Sequence, residues 1–523
     1  MNIIDFLLMH SPALIVAIPL LGAFLTPLIS RINNKARNIF VILILGLTTS
    51  IVLLLANDVF TGNIHTYVFG SKDLALPIIR ILFEVDALSA FMSIIGAILA
   101  LVAVIYSWAF MQENTGLDKF YTLILLMTAG MFGMVLTGDM FNLFVFLEIT
   151  SIASCALIAF WTNKGKSVEA GFKYIVISTI SALFILFAIA LLYGQYNALN
   201  IATLANAIQF SFLDKIALVL LIVAFAMKAG IVPMHMWLPD AYSKAPASVT
   251  IVLVCATQAS LYGVFRVCFT LYGNTINLSP ASIGWIIVLL GIITMLLGVA
   301  MALIQSDFKR LIAFSAVAEI GFMFLGIGAG LTVLENAEMM AAIGLPAMSG
   351  GVFHIINDAL DIGLLFLVAG AIYYATRETS LDKLGGLARN MKYTTVFFII
   401  GLFAVSGIPP MNGFASKLLI YESTFQLNPI LSIVAILSSI MLLAVFVKVL
   451  HSAFLGPSIP KFKEVKEVPK SMLIAMGIIA SIIILFGLFP ELIINHIVEP
   501  AVNALVSYGD YIREVIPTFT GGI

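Results

Sequence analysis

The chain has 523 residues, of which 62% are hydrophobic and only 10% charged, with a formal net charge of −1. Soluble domains carry about 25% charged residues, so a soluble catalytic domain is excluded, and nothing supports a nucleic-acid partner. Apolar runs of about 20 residues recur along the whole length and indicate one all-α polytopic membrane protein.

In chain order the apolar stretches give about 14 candidate spans, at 3–28, 37–57, 79–108, 119–136, 139–160, 171–193, 214–232, 247–269, 283–304, 309–328, 346–373, 393–415, 428–452 and 472–490. The first lacks a basic leader and a small-residue cleavage site, which reads as a retained helix. Most of the 26 Lys and Arg residues fall in the odd-numbered connections. The even connections and the tail hold only Lys72, Arg80, Lys215 and Arg513. This alternation predicts cytoplasmic odd connections and both termini outside; the expected location is the plasma membrane of a prokaryote. The long connections at 58–78 and 194–213 are expected to form caps and short hairpins, and the tail beyond Pro490 an interfacial helix or a packed end.

Ionisable residues inside the spans are the candidates for function, because charge in hydrocarbon is costly without a partner or a cavity. Glu148 lies within the fifth span and Lys228 within the seventh, five residues before Pro233, with His235, Trp237, Pro239 and Asp240 behind it. Glu148 and Lys228 form the natural candidate pair, each changing the other's hold on a proton. Gln258 occupies the eighth span and Glu319 the tenth. In the eleventh, His354, Asp358 and Asp361 share one helix face, with Asn357 beside them. Lys417 follows Pro409 and Pro410 in GIPPMNGFASK, so two segments combine a proline break with a lysine. Such paired interruptions point to an inverted-repeat transporter. Asp139 is expected to cap a helix, Asp307, Lys309 and Arg310 to hold a hairpin, and Lys448 to snorkel.

No ferredoxin-type cysteine pattern, haem-binding CxxCH or phosphate-binding glycine loop is present, and Cys155, Cys255 and Cys268 sit in apolar runs. No cofactor or metal is therefore expected in this chain. Fe–S or Ni–Fe centres would belong to partner subunits.

With Glu148 in its span, KAGIVPMHMWLPDAYSKAP (228–246), SDFKRLIAFSAVAEIG (306–321) and SGIPPMNGFASK (406–417), the chain resembles the antiporter-like subunits of respiratory complex I, Mrp cation/proton antiporters and energy-converting membrane-bound hydrogenases. The resemblance covers nearly the whole chain. It implies two inverted five-helix repeats with broken seventh and twelfth helices. It also implies a proton relay of Glu148, Lys228, His354 and Lys417, to which His235, Gln258, Glu319, Asp358 and Asp361 are possible additions. The corresponding segments are 1–118 (three helices), 119–269 (first repeat), 283–452 (second repeat) and 453–523 (connection, final helix and tail). Partners would be other antiporter-like and small membrane subunits, with or without a peripheral redox arm.

The sequence departs from the family pattern where a central lysine is usual near Gln258, where a second histidine and a lysine are usual near Asp358 and Ile362, and where Glu319 replaces a glutamine. These changes make the route more acidic and give sodium weight as a transported ion beside the proton. The reading placed first is a proton-translocating subunit of a redox-driven pump; the alternatives are a subunit of a multisubunit Na+/H+ antiporter and a non-conducting structural subunit.

Overall fold

The structure is a computed structural model that describes residues 3–69, 81–273 and 280–520; Lys72 and Arg80 lie outside them. Among the described residues, thirteen helices are long and apolar enough to cross a membrane. The expected span at 393–415 is instead two shorter helices, Lys392–Val405 and Asn412–Leu427, joined through the proline pair. The seventh segment is also interrupted: Phe212–Ala229 ends before Pro233 and the chain resumes as Trp237–Lys244. Proline lacks the donor that an uninterrupted helix needs, which places both breaks where the sequence put them.

Burial sorts the helices. In Phe308–Thr332 and Ala337–Thr376 the whole most apolar stretch is buried, whereas in Ile4–Ser30 and Lys470–Leu488 only 33% is. The tenth and eleventh helices are thus surrounded by protein, and the polar groups they carry cannot face lipid. The peripheral helices instead expose large apolar side chains such as Phe24, Leu43, Phe172 and Ile440, which suits a hydrocarbon surround.

Several boundaries differ from the apolar runs. The eleventh helix begins at Ala337, so Glu338, expected in a connection, starts a helical turn, followed by a wide turn at Met340–Gly344. The sixth begins at Gly165, taking in charged residues that hydropathy alone assigns to a loop. The 58–78 connection contributes the strand His65–Phe69, paired antiparallel with Ile81–Val85. The 194–213 connection contributes a short helix, Ile201–Ala207, capped by Asn200. The tail is a packed end: Val498, Ala501, Val502 and Leu505 are buried, and Glu499–Val506 packs on Ala87–Phe110.

Capping follows the expected chemistry. Asp139 accepts from the Asn142 backbone at 2.7 Å and Asp307 from that of Arg310 at 3.0 Å. Each satisfies an orphan donor of the helix it starts. Lys448 reaches the Leu303 and Gln305 carbonyls at 3.1 and 2.9 Å. Asp240 bridges Lys173 and Arg310, both at 2.8 Å.

Candidate ion-translocation site

The two breaks have the same backbone design. Gly230 and Gly407 have φ of +79° and +69°, and the isoleucine after each donates to the carbonyl five residues back, Ile231 to Ala226 at 3.0 Å and Ile408 to Phe403 at 2.9 Å. This left-handed glycine stop turns the chain sharply and leaves carbonyls at the helix end without intrahelical donors. Substitutes arrive from side chains. Trp237 Nε1 donates to the Met227 carbonyl at 2.9 Å, and Lys417 Nζ to the Val405 carbonyl at 2.7 Å. Lys228 sits in the last turn of its own half-helix, so both ammonium groups lie at the negative end of a helix dipole.

Around Lys417 the centre is Glu319. Its Oε1 accepts from Lys417 Nζ at 2.9 Å and its Oε2 lies 2.5 Å from His354 Nε2, with all three side chains about 1% exposed. Phe322, one turn along, places its ring 4.5 Å from Lys417 Nζ. His354 Nδ1 meets Ser416 Oγ at 3.0 Å, Asn357 donates to the same hydroxyl at 2.9 Å, and Asn412 donates to Asn357 and to Asp361, both at 3.1 Å. Gln258 donates to Asp358 Oδ2 at 2.9 Å, which joins the eighth helix to the eleventh. Glu319, His354, Lys417 and Asp361 are thus joined directly or through Ser416, Asn357 and Asn412, and the buried Gln258–Asp358 pair lies beside them, with Asp358 on the same helix as His354 and Asp361.

Lys228 lies in a second buried polar patch, walled in part by the helix that carries Gln258. Its Nζ donates to Ser151 Oγ. Both line a cavity of about 20 Å³, walled also by Ser178, Tyr174, Thr257 and Ser260, with room for about one water. Thr257 precedes Gln258 and shares a 2.6 Å bond with Tyr242. Lys228 is 7% exposed and makes no ion pair among the described residues. Glu148 is half-buried, one helical turn before Ser151; its Oε1 has no hydrogen-bond partner, and it acts on Lys228 through space. His235 is buried with both ring nitrogens unpartnered. No cluster of three or more His, Cys, Asp or Glu suited to a metal occurs among the described residues.

Residues 137–443 match the family described as NADH:quinone oxidoreductase/Mrp antiporter, TM, and residues 78–121 match the complex I chain 5 N-terminus. The chain belongs to this complex I/Mrp antiporter-like family. It is 30% identical over 517 residues to NADH-quinone oxidoreductase subunit N of Desulforudis audaxviator, covering 94% of this chain and 98% of the relative. It is also 30% identical over 513 residues to Na+/H+ antiporter subunit A1 of Staphylococcus haemolyticus, where it spans 62% of the relative's length. Among solved structures, a chain of the membrane-bound sulfane sulfur reductase, an archaeal respiratory membrane complex, superposes with a TM-score of 0.85 at 27% identity over 97% of this chain and all of the other. A chain of the Mrp complex from a Dietzia species does so with 0.84 at 24% identity, over 97% and 99%. The protein is thus a multi-pass antiporter-like membrane subunit with buried charged residues suited to an ion relay.

The antiporter-like axis includes residues that sequence reasoning passed over. Ser151, Tyr242, Thr257, Asn412 and Ser416 are ordinary hydroxyl and amide residues of membrane helices, and only their neighbours mark them. Arg266 carried a signal: an arginine within a span calls for a buried partner, and Asp86 supplies it.

Proposed function

We propose that this chain is the ion-translocating subunit of a multisubunit cation/proton antiporter, moving protons along the buried axis in exchange for a cation, sodium foremost. The observation that carries the reading is the line of buried polar groups running from one helix break, at Lys228, to the other, at Lys417. The names of the staphylococcal relatives favour an antiporter. So does a feature of the axis: Gln258 Oε1, Asp358 Oδ1 and Asn412 Oδ1 are buried acceptors with no donor. Such oxygens are costly unless a proton, a water or a cation supplies positive charge.

In this mechanism Glu148, Lys228, His354 and Lys417 hold and pass protons, with Gln258, Glu319, Asp358 and Asp361 between them and His235 to one side. An ion pair at about 4 Å in an effective dielectric of about 20 is worth about 4 kcal/mol. A proton arriving on Glu319 removes an attraction of that order from both His354 and Lys417, which frees one of them to lose a proton. Repetition of that step along the axis moves charge without covalent chemistry. The matching glycine stops support two inverted five-helix repeats, 119–269 and 283–452, flanked by 1–118 and 453–523, in a fourteen-span chain with both termini outside. Partner subunits complete the assembly.

A second reading is a subunit of a redox-driven proton pump, favoured by the match to subunit N over 98% of that relative. The test is the assembled complex in proteoliposomes under an imposed sodium gradient. Proton flux without electron donors, lost in Glu319→Gln, supports the antiporter. Flux that appears only with a donor and acceptor supports the redox pump, and absence of flux in both settings leaves a structural subunit.

A further inference from the structure

A second buried cluster lies at the end of the bundle that holds the even connections and the tail. Gln258, Tyr262 and Arg266 are spaced by four on the eighth helix, Ala247–Leu271, so they form one line from the central axis toward this end. Arg266 Nε donates to Tyr262 Oη at 2.9 Å, and Ser89 Oγ lies 3.2 Å from that hydroxyl and 3.1 Å from Arg266 Nη2. Arg266 also pairs with Asp86, in the loop that opens the third helix.

Two residues earlier, on the strand Ile81–Val85, Glu84 is 2% exposed. Its carboxyl accepts from Asn200 Nδ2 at 2.6 Å and from the Tyr511 hydroxyl of the tail helix Tyr508–Thr520. The guanidinium of Arg266 lies 5.3 Å from the Tyr511 ring centroid. A cavity of about 320 Å³ opens against this cluster, bordered by Asp86, Tyr511, Asn63 and Asp510. Asp86 is 2% exposed, yet its Oδ2 has no hydrogen-bond partner among the described residues.

A buried acid, a tyrosine that both bonds it and borders a cavity, and polar side chains spaced along one helix face back to Gln258 form the parts of a proton-release site. We propose that Glu84 is the group that holds the departing proton at this end, that Tyr511 passes it to water in the cavity, and that the Asp86–Arg266 pair fixes the local charge. The inference rests on the relay proposed above and on this end being the outer one. In the step, the Tyr511 hydroxyl turns from Glu84 to a cavity water, gives that water its proton and takes the proton of Glu84 in exchange. The carboxylate left behind is reprotonated from the relay side of the bundle. The charged and titratable groups facing Glu84 are Asp86, Arg266 and Tyr511. Burial is the largest influence and pushes the carboxyl up to about 8, against the donated bonds of Tyr511 and Asn200 and the charge of Arg266, with Asp86 adding to the rise. Such a group can both keep and release a proton near neutral pH.

The experiment is proton flux through the reconstituted complex as the pH on the tail side alone is varied. Wild type should show an outer-pH midpoint near that of Glu84. Glu84→Gln should lower flux on the order of 10²-fold and abolish that midpoint. Tyr511→Phe removes one oxygen and should slow flux while keeping the midpoint. Wild-type flux and profile in both variants, with flux abolished in Glu319→Gln, would overturn the release site and leave the relay standing. Wild-type flux in Glu319→Gln as well would overturn the relay and the release site together.

Discussion

Glu319 is the residue on which the second half of the axis depends, because its carboxylate pairs with both Lys417 and His354. Glu319→Gln leaves a buried ammonium without its carboxylate, a loss of about 3–5 kcal/mol for a broken buried pair. We expect that variant to lose translocation and to melt earlier in detergent; wild-type melting would show that the pair is not needed for packing. Glu84 makes a prediction of the opposite sign. It holds its proton up to about pH 8 when folded, against an ordinary value of 4.5. The native state therefore binds the extra proton between those values, and this stabilisation is lost as pH rises through about 8. Glu84→Gln should melt later than wild type above about pH 8, and the gap should shrink toward pH 5. At this scale the sequence was only partly legible. Glu148, Lys228, Glu319, His354 and Lys417 were visible as charges in apolar runs, but their partners were not. The buried charges suggested Glu148 as the partner of Lys228, whereas the hydrogen bond of Lys228 is to Ser151 and no ion pair to Glu148 is formed among the described residues. A serine bonded to a lysine 77 residues away leaves no mark in composition or spacing.

The helix breaks are the elements that bring both lysines to the axis. Their positions were readable because proline and glycine act locally through missing donors and free φ. Their equivalence was less readable: the lysine precedes one break and follows the other, and it is the glycine stop, with proline three residues after it in each, that relates them. A Cβ at Gly230 would lie 2.6 Å from Leu238 Cδ1, and one at Gly407 would lie 3.0 Å from Lys417 Cδ. Alanine at either site also has to adopt left-handed φ at a cost of about 1–2 kcal/mol. Gly407→Ala should therefore lower both the melting midpoint and the flux by displacing Lys417, whereas Gly116→Ala, with open space around its Cβ, should lower stability alone. Equal flux in the two variants would mean that the geometry of the break does not position the lysine. The other misjudged boundaries, at the sixth and eleventh helices, arise because helices extend beyond the hydrocarbon into charged turns that a hydropathy reading stops at.

For the whole molecule, composition and span spacing were enough to indicate a polytopic helical bundle, and the ordered motifs to indicate the family. Which assembly it serves was not legible, since the same buried axis suits an antiporter or a redox-driven pump and the deciding groups belong to other chains. Orientation is a prediction at this scale. Single cysteines at Asn63 and Lys383 in a variant lacking native thiols should react from opposite sides, Asn63 with an impermeant maleimide from outside intact cells. Reaction of Lys383→Cys instead would invert the topology and turn the Glu84 cluster into an uptake site.

The proposed mechanism requires a continuous axis between Lys228 and Lys417, in which the Gln258–Asp358 pair, at 2.9 Å, joins the eighth helix to the eleventh. The most direct test is sodium-driven proton flux in proteoliposomes carrying the assembled complex with Asp358→Asn, which preserves shape but removes the proton and charge. Flux reduced on the order of 10²-fold or more, with assembly and melting close to wild type, is the predicted result. Wild-type flux at wild-type sodium dependence would contradict it, because ions would then be crossing without passing along the buried line.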